Sequence, residues 1–308
     1  MTHPKDSTPS PSTWTLGILG GSGLYDLAGL EHPEWVSVSS PWGAPSDDIL
    51  FAEMGGVRLR FLPRHGRGHA ISPSDVNYRA NIDALKRSGC TDILSISAVG
   101  SLQEAFAPGD FVMVNQFIDR TFKRETSFFG KGCVAHVSTA DPICARLSGL
   151  MGAAAEAVGA NVHRPEPKGA LTYVAMEGPQ FSTKSESHIY RQLGCDVIGM
   201  TNMPEAKLAR EAELPYATMA MVTDYDCWHE GHGAVDVASV IAVMQKNSAF
   251  AQKAVLKLIE TLQNTPRTNS PQGIETNLDV AIITAPDARD PKRMAMLDAV
   301  AGRYLAQA

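Results

Sequence analysis

Cysteine is scarce and badly placed for cross-linking. Cys90, Cys133, Cys144, Cys195 and Cys227 are five in 308 residues, an odd number, far apart and without a Cys-x-x-Cys pair. A disulfide framework does not fit that count, so reduced, mostly buried thiols are expected. There is no excess of positive charge either. Lys and Arg total 27 against 33 Asp and Glu, a net charge of −6. Such a chain lacks the basic footprint of a nucleic-acid binder, although a small anionic ligand needs only a few local donors. No run of about 18 apolar residues occurs, so no membrane span is expected. The opening MTHPKDSTPSPSTW lacks the apolar stretch of a secretory signal, and a cytoplasmic location is expected. The absence of a fixed-period repeat argues against solenoids and propellers.

What is present reads as a globular protein: 44% hydrophobic and 19% charged residues. Residues 1–13 are rich in Ser, Thr and Pro and read as a disordered tail, and 14–263 as one domain. Residues 264–308 read as a loop, Asn264–Asn277, and a C-terminal segment on the same domain. Strand patterns occur at Thr15–Leu19, Arg58–Leu62, Asp92–Ser97, Phe111–Val114, Leu171–Met176, Asp196–Met200 and Tyr216–Val222. Helical patterns occur at Asp75–Arg87, Asp141–Val158, Thr183–Leu193, Pro204–Glu213 and Val237–Leu262. The alternation predicts a single-domain α/β fold, a mixed β-sheet surrounded by helices. In such sheets ligands sit outside the carboxyl ends of the strands.

The chemistry-bearing motifs stand at those ends. Gly17-Ile-Leu-Gly-Gly-Ser-Gly23 closes the first strand. Its amides and Ser22 suit an anion, but Asp26 stands where a dinucleotide fingerprint needs its third glycine, and no Gly-Lys-Ser/Thr follows. Phe61-Leu-Pro-Arg-His-Gly-Arg-Gly-His69 offers Arg64, whose planar fork matches phosphate oxygens, and His65 as a further donor. A metal on His65 and His69 is disfavoured, because the glycines and Pro73 argue against a helix. Ser97, followed by Ala98, and Thr201 are hydroxyls at strand ends. Asp224 and Asp226 stand at i and i+2, so they would share one face if the strand continued, and one of two close carboxylates would hold a proton. His229-Glu230-Gly-His232 lacks the spacing of a helical zinc pair.

The strings GGSGLYDL, PRHGRGH, ISPSDVNYRANIDALK, SAVGSL, PGDFVMVNQFIDRT, MEGPQFSTKSES, GMTNMPEAKLAREAELPYA and MVTDYDCW occur in that order over residues 15–262. Together they resemble the methylthioadenosine phosphorylase branch of the trimeric purine nucleoside phosphorylase family. The resemblance implies phosphorolysis of S-methyl-5′-thioadenosine to adenine and 5-methylthioribose 1-phosphate, a purine and methionine salvage step. It implies no metal or organic cofactor, inorganic phosphate being a co-substrate, and a homotrimer. It assigns phosphate to Ser22, Arg64, His65, Ser97, Ala98 and Thr201, although relatives often carry Thr at the positions of Ser22 and Ser97. Met200 is implied against the ribose and Phe181 against the base, with Ser182 tied to base specificity. Asp224 and Asp226 would take the adenine edge, with Asp224 as general acid. Val237 and Val240 would line the 5′-alkylthio pocket. Relatives that cleave 6-oxo nucleosides carry Asn near Asp224, so Asp favours adenine. His136 is weakly matched to a residue reaching a neighbour's 5′ pocket, Gln180 replaces an Arg of some relatives, and the region beyond Asn264 has no clear counterpart. A phosphorylase of other base preference, on methylthioinosine, inosine or guanosine, is the nearest alternative. A dinucleotide-dependent oxidoreductase and a non-catalytic nucleoside-binding protein are more distant ones.

Overall fold

The structure is a computed structural model that describes residues 13–21, 24–230 and 237–306; the side chains of 237–240 are outside the described set. In chain order the elements are β1 (Thr15–Gly20), β2 (Glu31–Val36), β3 (Ile49–Met54), β4 (Val57–Pro63), α1 (Tyr78–Arg87) and β5 (Asp92–Ser101). Then come β6 (Phe111–Val112), β7 (Gln116–Asp119), α2 (Ala145–Ala157), β8 (Val162–His163), β9 (Thr172–Ala175) and α3 (Lys184–Gln192). β10 (Val197–Gly199), α4 (Glu205–Glu211), β11 (Tyr216–Asp224) and α5 (Val237–Gln263) follow, before α6 (Pro291–Met296) and α7 (Gly302–Leu305). The result is one mixed sheet of 11 strands in the order β2-β3-β4-β1-β5-β10-β9-β7, with β11 branching from β5, β6 pairing with β11, and β8 with β6.

β5 is the strand on which everything turns. Along one edge it pairs in parallel with β11 from Ile93 to Gly100. Its other edge is shared: β1 takes Asp92–Ser95 and β10 takes Gly100 and Ser101 in antiparallel register. Residues 96–99 therefore have no strand on that edge among the described residues. This is a topological switch point, where an open α/β sheet makes room for a ligand. It lies at Ser97 and Ala98.

The central strands were legible because they are apolar on both faces, as parallel strands covered by helices must be. β1, β4, β5 and β11 are almost wholly buried. β2 gave no such signal: Glu31, Pro33 and Glu34 belong to an edge strand with a register shift, where a missing N–H does little harm. β3, β7 and β8 also escaped the pattern, and the run Phe111–Val114 forms strand only over its first two residues. Helix ends follow their caps. Asn77 accepts from Ala80 N (3.1 Å), so α1 begins three residues after the predicted Asp75. Thr183 and Glu186 close a capping box at α3. Pro142 biases Asp141 away from helical backbone, and α2 starts only at Ala145.

The C-terminal segment is held by arginines. Arg267 Nε donates to buried Asp92 (2.5 Å) at the start of β5, and its Nη2 to Glu275 (2.9 Å). Arg303 bridges Glu213 (2.8 and 2.6 Å), and Arg87 pairs with Asp298. Residues 281–293 then run beside 128–136, with Ile283 N on Val134 O and Asp290 N on Gly132 O. Its anchors at Asp92 and Glu213 sit at the amino ends of β5 and β11, opposite the switch point. All five cysteines are free, four of them buried. No described helix is long and apolar enough to cross a membrane.

Candidate active site

At the switch point, β4 delivers Arg64 directly. Arg64 N donates to Gly20 O (3.0 Å), which ties the basic loop to the glycine turn after β1. The guanidinium is buried and enters the gap beside β5: Nη1 donates to Ile96 O (3.2 Å), and Nη2 to Ser95 Oγ (2.7 Å) and Leu19 O (3.3 Å). Its Nε meets both carboxylate oxygens of Glu205 (2.8 and 3.1 Å), the first residue of α4. Burial alone would lower its pKa, but the Glu205 charge outweighs burial and holds Arg64 firmly protonated. Glu205 was not singled out in the sequence, although it follows Thr201 by only four residues.

His65 departs from the expectation of a free donor. Its Nδ1 lies 2.9 Å from Ile71 O, so the ring's N–H in the neutral form is spent on the backbone and Nε2 is an acceptor. Burial, then the Arg64 charge, push its pKa down to about 4. A neutral His65 suits the P–OH of a hydrogenphosphate. Arg67, read as a plain solvated loop residue, is clamped by Asp47 (2.7–3.1 Å) and lies over the Trp35 ring.

The strand-end hydroxyls converge on a residue the motifs did not show. Tyr173 Oη, fully buried at β9, lies 3.2 Å from Thr201 Oγ1 and accepts from Thr201 N (3.3 Å). It is also an electrostatic neighbour of Ser97 and Arg64. Ser97 Oγ is buried and makes no hydrogen bond of regular geometry, as a hydroxyl set aside for a ligand would. Close approach explains Gly199: a Cβ there would stand 2.0 Å from Tyr173 Oη. The structure thus gathers Arg64, His65, Ser97, Ala98 and Thr201 at one end of the sheet. Ser22 lies outside the described residues.

The carboxylates sit one step along β5. A side chain at Gly100 would place its Cβ 2.9 Å from Asp224 Oδ1 and 3.4 Å from Asp226 Cβ, so glycine makes room for both. They do not share a strand face. β11 ends at Asp224, the backbone turns with Asp226 at φ +50°, and Asp226 N donates to Asp224 Oδ1 (2.8 Å). An aspartate turn, not strand alternation, brings them together. Thr223 Oγ1 donates to Asp224 Oδ2 (2.7 Å). Burial nevertheless raises both carboxyl pKa values; for Asp226 the Asp224 charge adds to the rise and the Ser187 hydroxyl offsets part of it. Protonation of one carboxyl is therefore eased.

Phe181 and Ser182 reach this turn through Cys227, whose Sγ lies 3.2 Å from Ser182 O. Phe181 is half exposed. Met200 packs on Gly178, where a Cβ would fall 2.5 Å from its Sδ. That loop is fixed by Glu177, a second residue the motifs left unassigned. Its carboxylate takes Ser74 Oγ (2.6 Å), Phe122 N (2.6 Å), Lys123 N (3.0 Å) and Arg124 Nε (3.1 Å). Burial pushes its pKa up, but these donors hold it down at about 2. Val237 and Val240 open α5 on the far side of 231–236, and their side chains lie outside the described set. His136 is exposed, its N–H on Ala281 O, and Gln180 is exposed too. His229 pairs with Glu104 (3.1 Å), and His232 lies outside the described residues.

A family model described as the phosphorylase superfamily matches residues 15–260. A protein of Cereibacter sphaeroides named S-methyl-5′-thioadenosine phosphorylase is 58% identical over 94% of this chain and 98% of its own length. The chain belongs to the S-methyl-5′-thioadenosine phosphorylase family. A Rhodospirillum rubrum member of the same name is 57% identical, covering 94% of this chain and 97% of its own. Among solved structures, a methylthioadenosine phosphorylase from an antarctic soil metagenomic library superposes with a TM-score of 0.86 at 45% identity, over 94% of this chain and 99% of that one. The Schistosoma mansoni methylthioadenosine phosphorylase in complex with adenine gives 0.75 at 37% identity, over 86% and 96%. The expected fold class and family are those that the comparisons find.

Proposed function

We propose that this chain cleaves S-methyl-5′-thioadenosine with inorganic phosphate, giving adenine and 5-methylthioribose 1-phosphate. The observation that carries the reading is the pair of neighbouring subsites on β5: a hydroxyl and guanidinium cluster at Ser97, and a proton-favouring pair of carboxylates at Gly100, Asp226 buried and Asp224 partly so. The relatives' names and the adenine-bound neighbour support the substrate.

Chemically, the N9–C1′ bond breaks as a phosphate oxygen attacks C1′. The ribose gains positive charge and the purine negative charge. Phosphate held by Arg64, Ser97, Thr201 and Ala98, with its P–OH toward His65, is nucleophile and counter-charge at once. Orientation of this kind contributes up to about 7–11 kcal/mol. Asp224, protonated, donates to N7 as the bond breaks. The proton lost by hydrogenphosphate balances the one gained by adenine. Met200 packs on the ribose, and Phe181 and Ser182 on the base. Asp226 accepts from the adenine amino group, and the family resemblance assigns Val237 and Val240 to the methylthio group. Only phosphate is needed as co-substrate, with no metal or organic cofactor.

We read the protein as a cytoplasmic homotrimer. Val134, Val280 and Ile283 form an exposed apolar strip beside His136, the kind of surface that a second copy covers. His136 would then reach the neighbour's 5′ pocket. The test of function is product release from methylthioadenosine and methylthioinosine side by side, with and without phosphate. Phosphate-dependent adenine release is expected. Hypoxanthine release without adenine release would reverse the assignment of Asp224 and Asp226, and no phosphate-dependent release from either would end the reading.

A further inference from the structure

The charge of Arg64 is answered before any ligand arrives. Its side chain is 2% exposed and that of Glu205 is 1% exposed, with Nε between both carboxylate oxygens. A guanidinium has five N–H groups. The contacts to Glu205, Ile96 O, Ser95 Oγ and Leu19 O leave one, on Nη1. Glu205 is itself held: Tyr216 Oη lies 3.4 Å away, and Tyr216 is fixed by Asn202 Oδ1 (3.0 Å), which also takes Ser95 Oγ (2.8 Å). The neighbouring His65 is neutral, its N–H turned to Ile71 O. Arg64 therefore brings almost no net charge to the pocket, and His65 adds none.

We propose that Glu205 is a charge-balancing positioning residue: it aims the last N–H of Arg64 and cancels its charge, so that phosphate is held by hydrogen bonds rather than by net attraction. This rests on the reading that Arg64 faces phosphate. The physical reason is turnover. The ester product carries the same phosphoryl charge as the substrate phosphate, so uniform attraction would tighten both ends of the reaction without lowering the barrier. An unbalanced guanidinium in a dry pocket would hold either anion strongly.

The test is the phosphate dependence of Glu205→Gln. Gln keeps an acceptor for Nε and removes the charge. The KM for phosphate is expected to fall about threefold to tenfold and kcat to fall with it, with the KM for methylthioadenosine unchanged, because a buried cation has lost its partner. Glu205→Asp, which keeps the charge, shows no such tightening. A merely structural role moves both KM values together. A raised phosphate KM in a folded Glu205→Gln variant overturns the proposal. If that variant is recovered unfolded, its circular dichroism is measured with and without phosphate: refolding by phosphate supports the charge balance, and no refolding overturns it. An Arg64→Lys variant with the parent's phosphate KM would instead remove Arg64 from the phosphate site, and the proposal with it.

Discussion

The two ends of the candidate site are built on opposite principles. At the Arg64 end, strand termini cross and side chains satisfy one another: Arg64, Glu205, Ser95, Asn202, Thr218 and Tyr216 form one buried hydrogen-bonded network. At the Asp224 end the chain leaves the strand in a turn with Asp226 in left-handed backbone, and Asp226 Oδ2 makes no hydrogen bond of regular geometry. Phe181 stands half open beside it. The first end is largely satisfied before the ligand comes, with Ser97 Oγ and one Arg64 N–H left over. The second keeps acceptors and apolar surface in reserve for the part of the substrate that must be recognised. Satisfied networks give precise placement, and open ones give selectivity, because a buried polar group left unpaired penalises the wrong ligand.

The largest expected effect breaks the open end. Asp224→Asn should lower kcat/KM on methylthioadenosine by about 10²–10⁴-fold, the usual worth of a general acid, with a relative gain on 6-oxo nucleosides. Steady-state rates on both substrates check this, and an unchanged preference would remove Asp224 from that role.

Next comes the closed end. Arg64→Met leaves Glu205 buried without its cation, which should destabilise the fold by about 3–5 kcal/mol. Urea denaturation measures it, and adding Glu205→Leu should recover most of the loss. A loss below about 1 kcal/mol, typical of exposed pairs, would mean that the network is not closed.

Glu211 sharpens the contrast through pH. On α4 it takes Ser127 Oγ (2.6 Å) and Phe128 N (2.7 Å), yet burial pushes its pKa up to about 7. The native state thus binds a proton that the unfolded chain has released, and this contribution to stability is lost as pH rises from about 4.5 to about 7. Glu211→Gln should therefore gain about 1–3 kcal/mol on the parent between pH 5 and pH 8. Denaturation at both pH values would reject the idea if the difference between the two proteins stayed constant.

The smallest effect belongs to the open rim. Phe181→Ala should raise the KM for methylthioadenosine by the equivalent of about 1 kcal/mol, at the low end for an apolar contact, and leave the KM for phosphate alone. Coupled movement of the two constants would show that the ends are not independent.

Much of this was readable beforehand. Arg64, Ser97, Thr201 and Asp224 each follow an apolar run, and an apolar run ending in glycine, proline or a short polar residue marks a strand reaching the sheet's edge. Tyr173 and Glu205 were not readable, since an apolar-flanked tyrosine and a helix-opening glutamate are ordinary in their local contexts. Only the tertiary approach of β9 to Thr201 and of α4 to Arg64 gives them partners. For the carboxylate pair, spacing suggests strand alternation, whereas the geometry is a turn, because Asp224 and Asp226 bond locally once β11 ends.

By itself, then, the sequence determined the α/β class, the central strands and the chemistry stationed at each strand end. These follow from local pattern and side-chain type. Tertiary structure decided which edge of β5 stays open, which buried anion answers Arg64, and which hydroxyl gathers Ser97 and Thr201. Such pairings join residues distant in sequence: Arg64 and Glu205 are 141 positions apart, and Tyr173 and Thr201 are 28 apart. Burial then sets their charge states, a quantity that no local pattern contains.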